Sequence, residues 1–212
     1  MQNEWWQRRW ILGLGVLGSL LIIILPLVGG IIWPLYKPAT APIAILMAQD
    51  ADFNIGFKTV QLIGMVLILM MLLALRQLYK HEASLKLQRA TMWLFVGVLL
   101  LAGLNYLLPL QTVVEGAVFN VTWSVRDIVA LMVNLFLAVA LWRYSNAVAN
   151  HGATSLANVM KLMAILFLLF NALEYGVILL NWPLVGLMDL LSYDSLMLGF
   201  MYLSWYYMRQ AA

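Results

Sequence analysis

From Trp10 to Trp33 the chain runs without a single charged side chain. A run of that length answers to a bilayer, because about 20 mainly apolar residues, each rising about 1.5 Å, cross a hydrocarbon layer roughly 30 Å thick. A cleaved signal segment accounts for it less well. The apolar run exceeds the roughly 7–15 residues of such a segment, and Pro42 would follow the cleavage site. It reads as a retained helix, kinked near Pro26.

Composition extends the argument to the whole chain. Of 212 residues, 65% are hydrophobic and 10% charged, with a mean hydropathy of +0.93, against about 45–50% and 25% in ordinary globular domains. Too few polar residues exist to cover a water-exposed surface, which excludes a soluble domain. The fold class is all-α: a polytopic membrane protein, one transmembrane domain over residues 1–212, built as a bundle of about six transmembrane helices. The spans fall near 10–33, 59–75, 90–110, 126–142, 159–180 and 183–207. The fourth is the least clear, since only fifteen residues separate Asp127 from Arg143.

Charge placement gives an orientation. With the N-terminus inside, Arg8, Arg9, Arg76, Lys80, Lys86, Arg89, Arg143, Lys161 and Arg209 are cytoplasmic, and Lys37, Lys58 and Arg126 are outside. That imbalance predicts N-in/C-in. Acidic residues distribute the other way, with Glu4 and Glu82 inside and the remaining seven outside or in the outer half of the membrane. Trp10, Trp33, Trp142, Trp182 and Trp205 sit near span ends, as interfacial aromatics do. The expected location is a cell membrane, with a bacterial inner membrane as the default.

Between the spans, Pro34 to Phe57 holds three prolines and an apolar stretch from Ala41 to Ala48, expected to lie at the membrane interface. Pro109 to Val125 alternates loosely and suggests a hairpin or a partly inserted loop. Gly13, Gly15 and Gly18 match the spacing of a dinucleotide-binding turn. They lie inside an apolar run rather than between a strand and a helix, so close helix packing is the expected role.

Several function classes drop out. No basic run is interleaved with aromatics, so nucleic acid is not an expected partner. The absence of cysteine excludes disulfides, thiolate metal sites and cysteine nucleophiles. Both histidines, His81 and His151, lie in connections, which leaves haem ligation and serine–histidine chemistry inside the membrane without an essential group. No cofactor, metal ligand set or catalytic residue is expected, and the reading leans away from an enzyme.

What remains is a set of polar groups inside the spans, where a charged side chain costs at least about 2.5–3.5 kcal/mol and is commonly retained for function or assembly. Glu174 lies eight residues before Trp182 and Asp189 seven after it, so a tight hairpin would bring the two carboxyls to one depth. Asn171 and Glu174 share a stripe of the fifth span. Asp127 and Asn134 share a face of the fourth, and Asn105 lies at similar depth on the third. Arg126 is placed to hold one carboxylate ionised. Asp194, five positions beyond Asp189, addresses another face, where a hydrogen bond to a neighbouring helix is expected. Toward the cytoplasm, Leu67 to Leu75, Leu94 to Leu101 and Ile165 to Phe170 contain no ionisable group.

A polar pocket or seam confined to the outer half suits a sensor, a receptor or an accessory subunit of a membrane complex. Besides the lipid bilayer, the expected partners are other membrane subunits or a second copy of the chain. The alternative is a small proton- or cation-coupled transporter or channel using Glu174 and Asp189. A membrane aspartyl protease is the weakest reading, because Asp189 lacks the glycine-containing context expected of such enzymes.

Overall fold

In the computed structural model, which describes residues 4–49, 51–108 and 125–210, the chain forms six long helices and, among the described residues, no strand. They are α1 (Arg9–Ile32), α2 (Asn54–His81), α3 (Leu85–Leu107), α4 (Val125–Ala149), α5 (Thr154–Leu179) and α6 (Val185–Gln210). The hairpin expected around Pro109 to Val125 lies almost wholly outside the described residues.

Each helix packs on its neighbours in chain order, and α6 returns against α1, so the six close a ring. Short connections enforce that order. Ala83, Gly152 and Asn181 adopt left-handed backbone conformations in the α2–α3, α4–α5 and α5–α6 turns, with φ of 55°, 91° and 53°. The start of α1 and the end of α6 lie at one end of the ring, called the termini end below; the opposite end is the far end.

The glycines of α1 let the ring close. A Cβ on Gly18 would stand 2.5 Å from the carbonyl oxygen of Gly64 on α2, and one on Gly15 would stand 2.8 Å from Ser204 Cβ on α6. In the space left at Gly15, the Ser204 hydroxyl donates to the Leu12 carbonyl and accepts the Val16 N–H at 3.1 Å. Small residues here permit close backbone approach, as expected for apolar helices. The α1 helix continues through Pro26, which is buried.

Five helices are long and apolar enough to cross a membrane: Arg9–Ile32, Asn54–His81, Leu85–Leu104, Val125–Ala149 and Thr154–Leu179. The fourth segment, read as marginal from its charges, is a 25-residue helix, because the turn forms only after Ala149 and the helix passes through Arg143. The sixth segment is the exception. Its helix is 26 residues long, but Asp189, Asp194 and three serines keep it outside the apolar set. Those polar positions largely face protein: Asp189, Ser192, Ser195 and Ser204 are all buried.

The segment from Pro34 to Phe53 folds over the far end. Ile43–Met47 forms a short 3-10 helix, and Tyr36, Leu46, Met47 and Ala48 are at most 2% exposed. The segment's apolar side chains Ile43, Leu46, Met47 and Ala48 are buried against protein, packed with Leu25 of α1 and Phe57 of α2.

Candidate functional site

The α5–α6 turn sets the two central carboxyls. At the end of α5 the N–H of Trp182 donates to Val177 O at 3.0 Å and that of Leu180 to Gly176 O at 3.0 Å. The left-handed Asn181 between them completes a helix stop of the kind usually made by glycine. The chain then reverses, placing Glu174, partly buried, and Asp189, buried, in one electrostatic neighbourhood with Arg126 and Asp127.

One turn inward, the polar groups form a continuous chain across three helices. Asn134 Nδ2 of α4 donates to Asn171 Oδ1 of α5 at 2.7 Å, and Asn171 Nδ2 donates to Ser192 Oγ of α6 at 2.5 Å and to the Phe167 carbonyl at 2.8 Å. Paired polar groups are the affordable kind in an apolar bundle, since an unpaired amide costs several kilocalories per mole there. Ser192 was not singled out from the sequence, because a lone serine on a helix carries no local signal.

Above this chain sits the folded-over segment, clamped to the first turns of α6. Asp189 Oδ2 accepts the backbone N–H of Ile43 at 2.7 Å, and the Leu187 N–H donates to Ala39 O at 2.9 Å. Gly186 allows the contact, since a Cβ there would stand 2.5 Å from the carbonyl oxygens of both Pro38 and Ala41. Tyr36 is 2% exposed and lies close enough to Asp189 to feel its charge. Burial first, and that charge second, push the Tyr36 phenol well above its ordinary pKa, so it remains a protonated donor. Among the described residues neither its hydroxyl nor the buried Trp33 indole N–H has a hydrogen-bond partner. Both are uncommon in a folded interior and mark polar capacity left open at this end.

The other expected members are placed as follows. Arg126 Nε donates to Leu108 O at 2.9 Å, its Nη1 lies 3.9 Å from Asp127 Oδ1, and it acts electrostatically on both Glu174 and Asp189. Asn105 belongs to α3, but its side chain lies outside the described residues. Asp194 does not join the group: it is partly exposed, one and a half turns along α6, and among the described residues it makes no hydrogen bond to a neighbouring helix.

Toward the termini end the polar chain stops. Leu137, Leu141, Phe167, Leu196 and Phe200 are each at most 1% exposed and form a packed apolar layer. Among the described residues no three His, Asp or Glu side chains gather closely enough to hold a metal ion. No family model, curated protein or solved structure matches this chain.

Proposed function

We propose that the protein is a non-enzymatic multi-pass membrane protein, a sensor, receptor or accessory subunit of a membrane complex, whose ligand or partner engages the acidic site at the far end. Six spans in an N-in/C-in arrangement put that site in the outer half of the bilayer. The sixth, α6, enters the membrane shielded by α5 and α1, which cover its polar face. Three cation–indole pairs support the orientation, for their cations lie on the side assigned to the cytoplasm: Arg143 over Trp93 at 5.0 Å, Lys161 over Trp142 at 4.5 Å and Arg209 over Trp205 at 4.6 Å. Interfacial aromatics and cations of this kind anchor helices at headgroup level.

What supports the proposal is that Glu174 and Asp189 share one electrostatic neighbourhood, with Asp189 bonded to a docked segment whose buried Tyr36 hydroxyl has no hydrogen-bond partner among the described residues. Charged groups are expensive to keep at such a depth, and an unpaired donor beside them, the Tyr36 hydroxyl, is open to a polar ligand or to a partner's side chain. The packed apolar layer below argues against a small proton- or cation-coupled transporter. Reconstituted vesicles test that distinction. On this reading they carry no proton or cation flux, while mild-detergent extracts of the native membrane retain a bound small molecule or subunit. Sustained flux abolished by Glu174→Gln would replace the proposal with the transport reading.

A further inference from the structure

The termini end of the ring is closed by three tyrosines. Tyr79 of α2 and Tyr144 of α4 are fully buried and Tyr207 of α6 is 8% exposed. The Tyr79 hydroxyl donates to that of Tyr207 at 2.5 Å and lies 2.6 Å from that of Tyr144. Helices α2, α4 and α6 are alternate members of the ring, each flanked by α1, α3 or α5. Side chains from three alternate helices of a closed ring can meet only near its axis, so the hydroxyl cluster lies there.

The two sides of this layer differ. Outside it, toward the termini, a cavity of about 340 Å³ is lined by Glu82, His151, Tyr206, Tyr207 and Gln210. His151 Nε2 stands 3.5 Å from Glu82 Oε2 at its lip, linking the α2–α3 and α4–α5 turns. Tyr207 belongs to both structures, since its hydroxyl is in the cluster and its side chain lines the cavity. On the inner side, Leu75, Ala140 and Leu203 lie one turn from Tyr79, Tyr144 and Tyr207, and all three are 0% exposed. Three phenylalanines would seal this level without desolvating a hydroxyl. A hydroxyl cluster instead closes through hydrogen bonds that water can replace, each worth only about 0.5–1.5 kcal/mol net.

We propose that Tyr79, Tyr144 and Tyr207 form a latch on the ring axis. Exchange of their mutual hydrogen bonds for water parts α2, α4 and α6 at the termini end and extends the cavity inward to Leu75 and Leu203. The proposal rests on the ring and the hydroxyl distances, and it stands or falls separately from the reading of the acidic site. On the orientation above, the opening faces the cytoplasm. Helices α4 and α6 also carry Asn134, Asp189 and Ser192, so the same two helices run from the acidic site to the latch.

The natural absence of cysteine makes the test direct. Leu75→Cys and Leu203→Cys are made singly in the full chain, placed in nanodiscs and exposed to a small charged methanethiosulfonate, with modification followed by mass spectrometry. With the tyrosines intact both thiols react slowly. With Tyr79→Phe added, which breaks both of its hydroxyl bonds and leaves the buried Tyr144 and Tyr207 hydroxyls beside an apolar ring, both rates rise at least about tenfold, the population change expected when two such net hydrogen bonds are lost from the closed state. Leu46→Cys, buried at the far end, stays unreactive in either background. Unchanged rates at residues 75 and 203 overturn the latch, as does an equal rise at residue 46, which would mean general loosening. Should Leu75→Cys fail to yield folded protein, Leu203→Cys carries the test alone.

Discussion

Asp189 reaches back across 146 residues of sequence to accept the backbone N–H of Ile43 at 2.7 Å. That bond joins the most polar helix of the ring to the segment lying over its far end, and it explains why α6 tolerates an aspartate in its second turn. A carboxylate accepting a backbone N–H is a charge-assisted bond, stronger than a neutral one. The segment from Pro34 to Phe53 is thereby part of the site rather than a passive connection.

The fit of that segment depends on the missing side chain of Gly186. Gly186→Ala forces backbone oxygen atoms of Pro38 and Ala41 away from 2.5 Å contacts, and overpacking of this kind costs about 1–3 kcal/mol. The expected result is faster hydrogen exchange at the amides of Ile43 and Leu187, with protection in α3 and α4 unchanged. Exchange that accelerates uniformly over all helices would show that the clamp is not a local feature.

The glycines of α1 differ in what surrounds them. A Cβ on Gly18 meets the Gly64 backbone at 2.5 Å, whereas one on Gly13 meets only the sulfur of Met208 at 3.2 Å, the flexible part of a side chain. Gly18→Ala is therefore expected to lower stability by about 1–3 kcal/mol. Gly13→Ala should stay within about 0.5 kcal/mol of the parent, helped by alanine's better helix propensity. Unfolding in mixed detergent micelles measures both, and equal losses would refute the packing assigned to Gly18.

Asn171 joins three helices through one side chain. Asn171→Ala removes its bonds to Asn134, Ser192 and the Phe167 carbonyl. Two of these bonds, to Asn134 and Ser192, run between helices, and at the modest values found for such bonds, about 0.6 kcal/mol on average, they amount to roughly 1 kcal/mol. The same unfolding measurement reads this loss. Asn134→Ala, which removes one of the two, should cost about half as much.

Periodicity and charge made much of this arrangement legible. The uncharged run after Trp10 marks α1, and the spacing of Glu174 and Asp189 about Trp182 is legible because the α5–α6 turn forms between them, so that equal spacing becomes similar depth. The glycine run was legible for the same reason, since a helix places it against neighbours whatever their identity. Other features required partners remote in sequence. The burial of Ile43 and of Leu46 to Ala48 depends on α6 offering Gly186, Leu187 and Asp189, and no local pattern reports that. The convergence of Tyr79, Tyr144 and Tyr207 depends on ring closure. For Asp194 the neighbour expected to bond it is not there among the described residues. The α6 helix is the least apolar in sequence because much of its polar surface is turned toward protein, a fact that hydropathy alone misreads.

Native mass spectrometry of the protein released from its own membrane tests the central claim most directly, comparing the parent with a Glu174→Gln, Asp189→Asn double variant. Both replacements keep shape while removing charge, and the amide oxygen introduced at position 189 can still accept the Ile43 N–H. The account predicts that the parent carries an additional mass, ligand or subunit, that the variant loses, while the yield and thermal stability of folded protein remain close to the parent's. An additional mass retained in full by the variant, or lost only together with the folded protein, would contradict it.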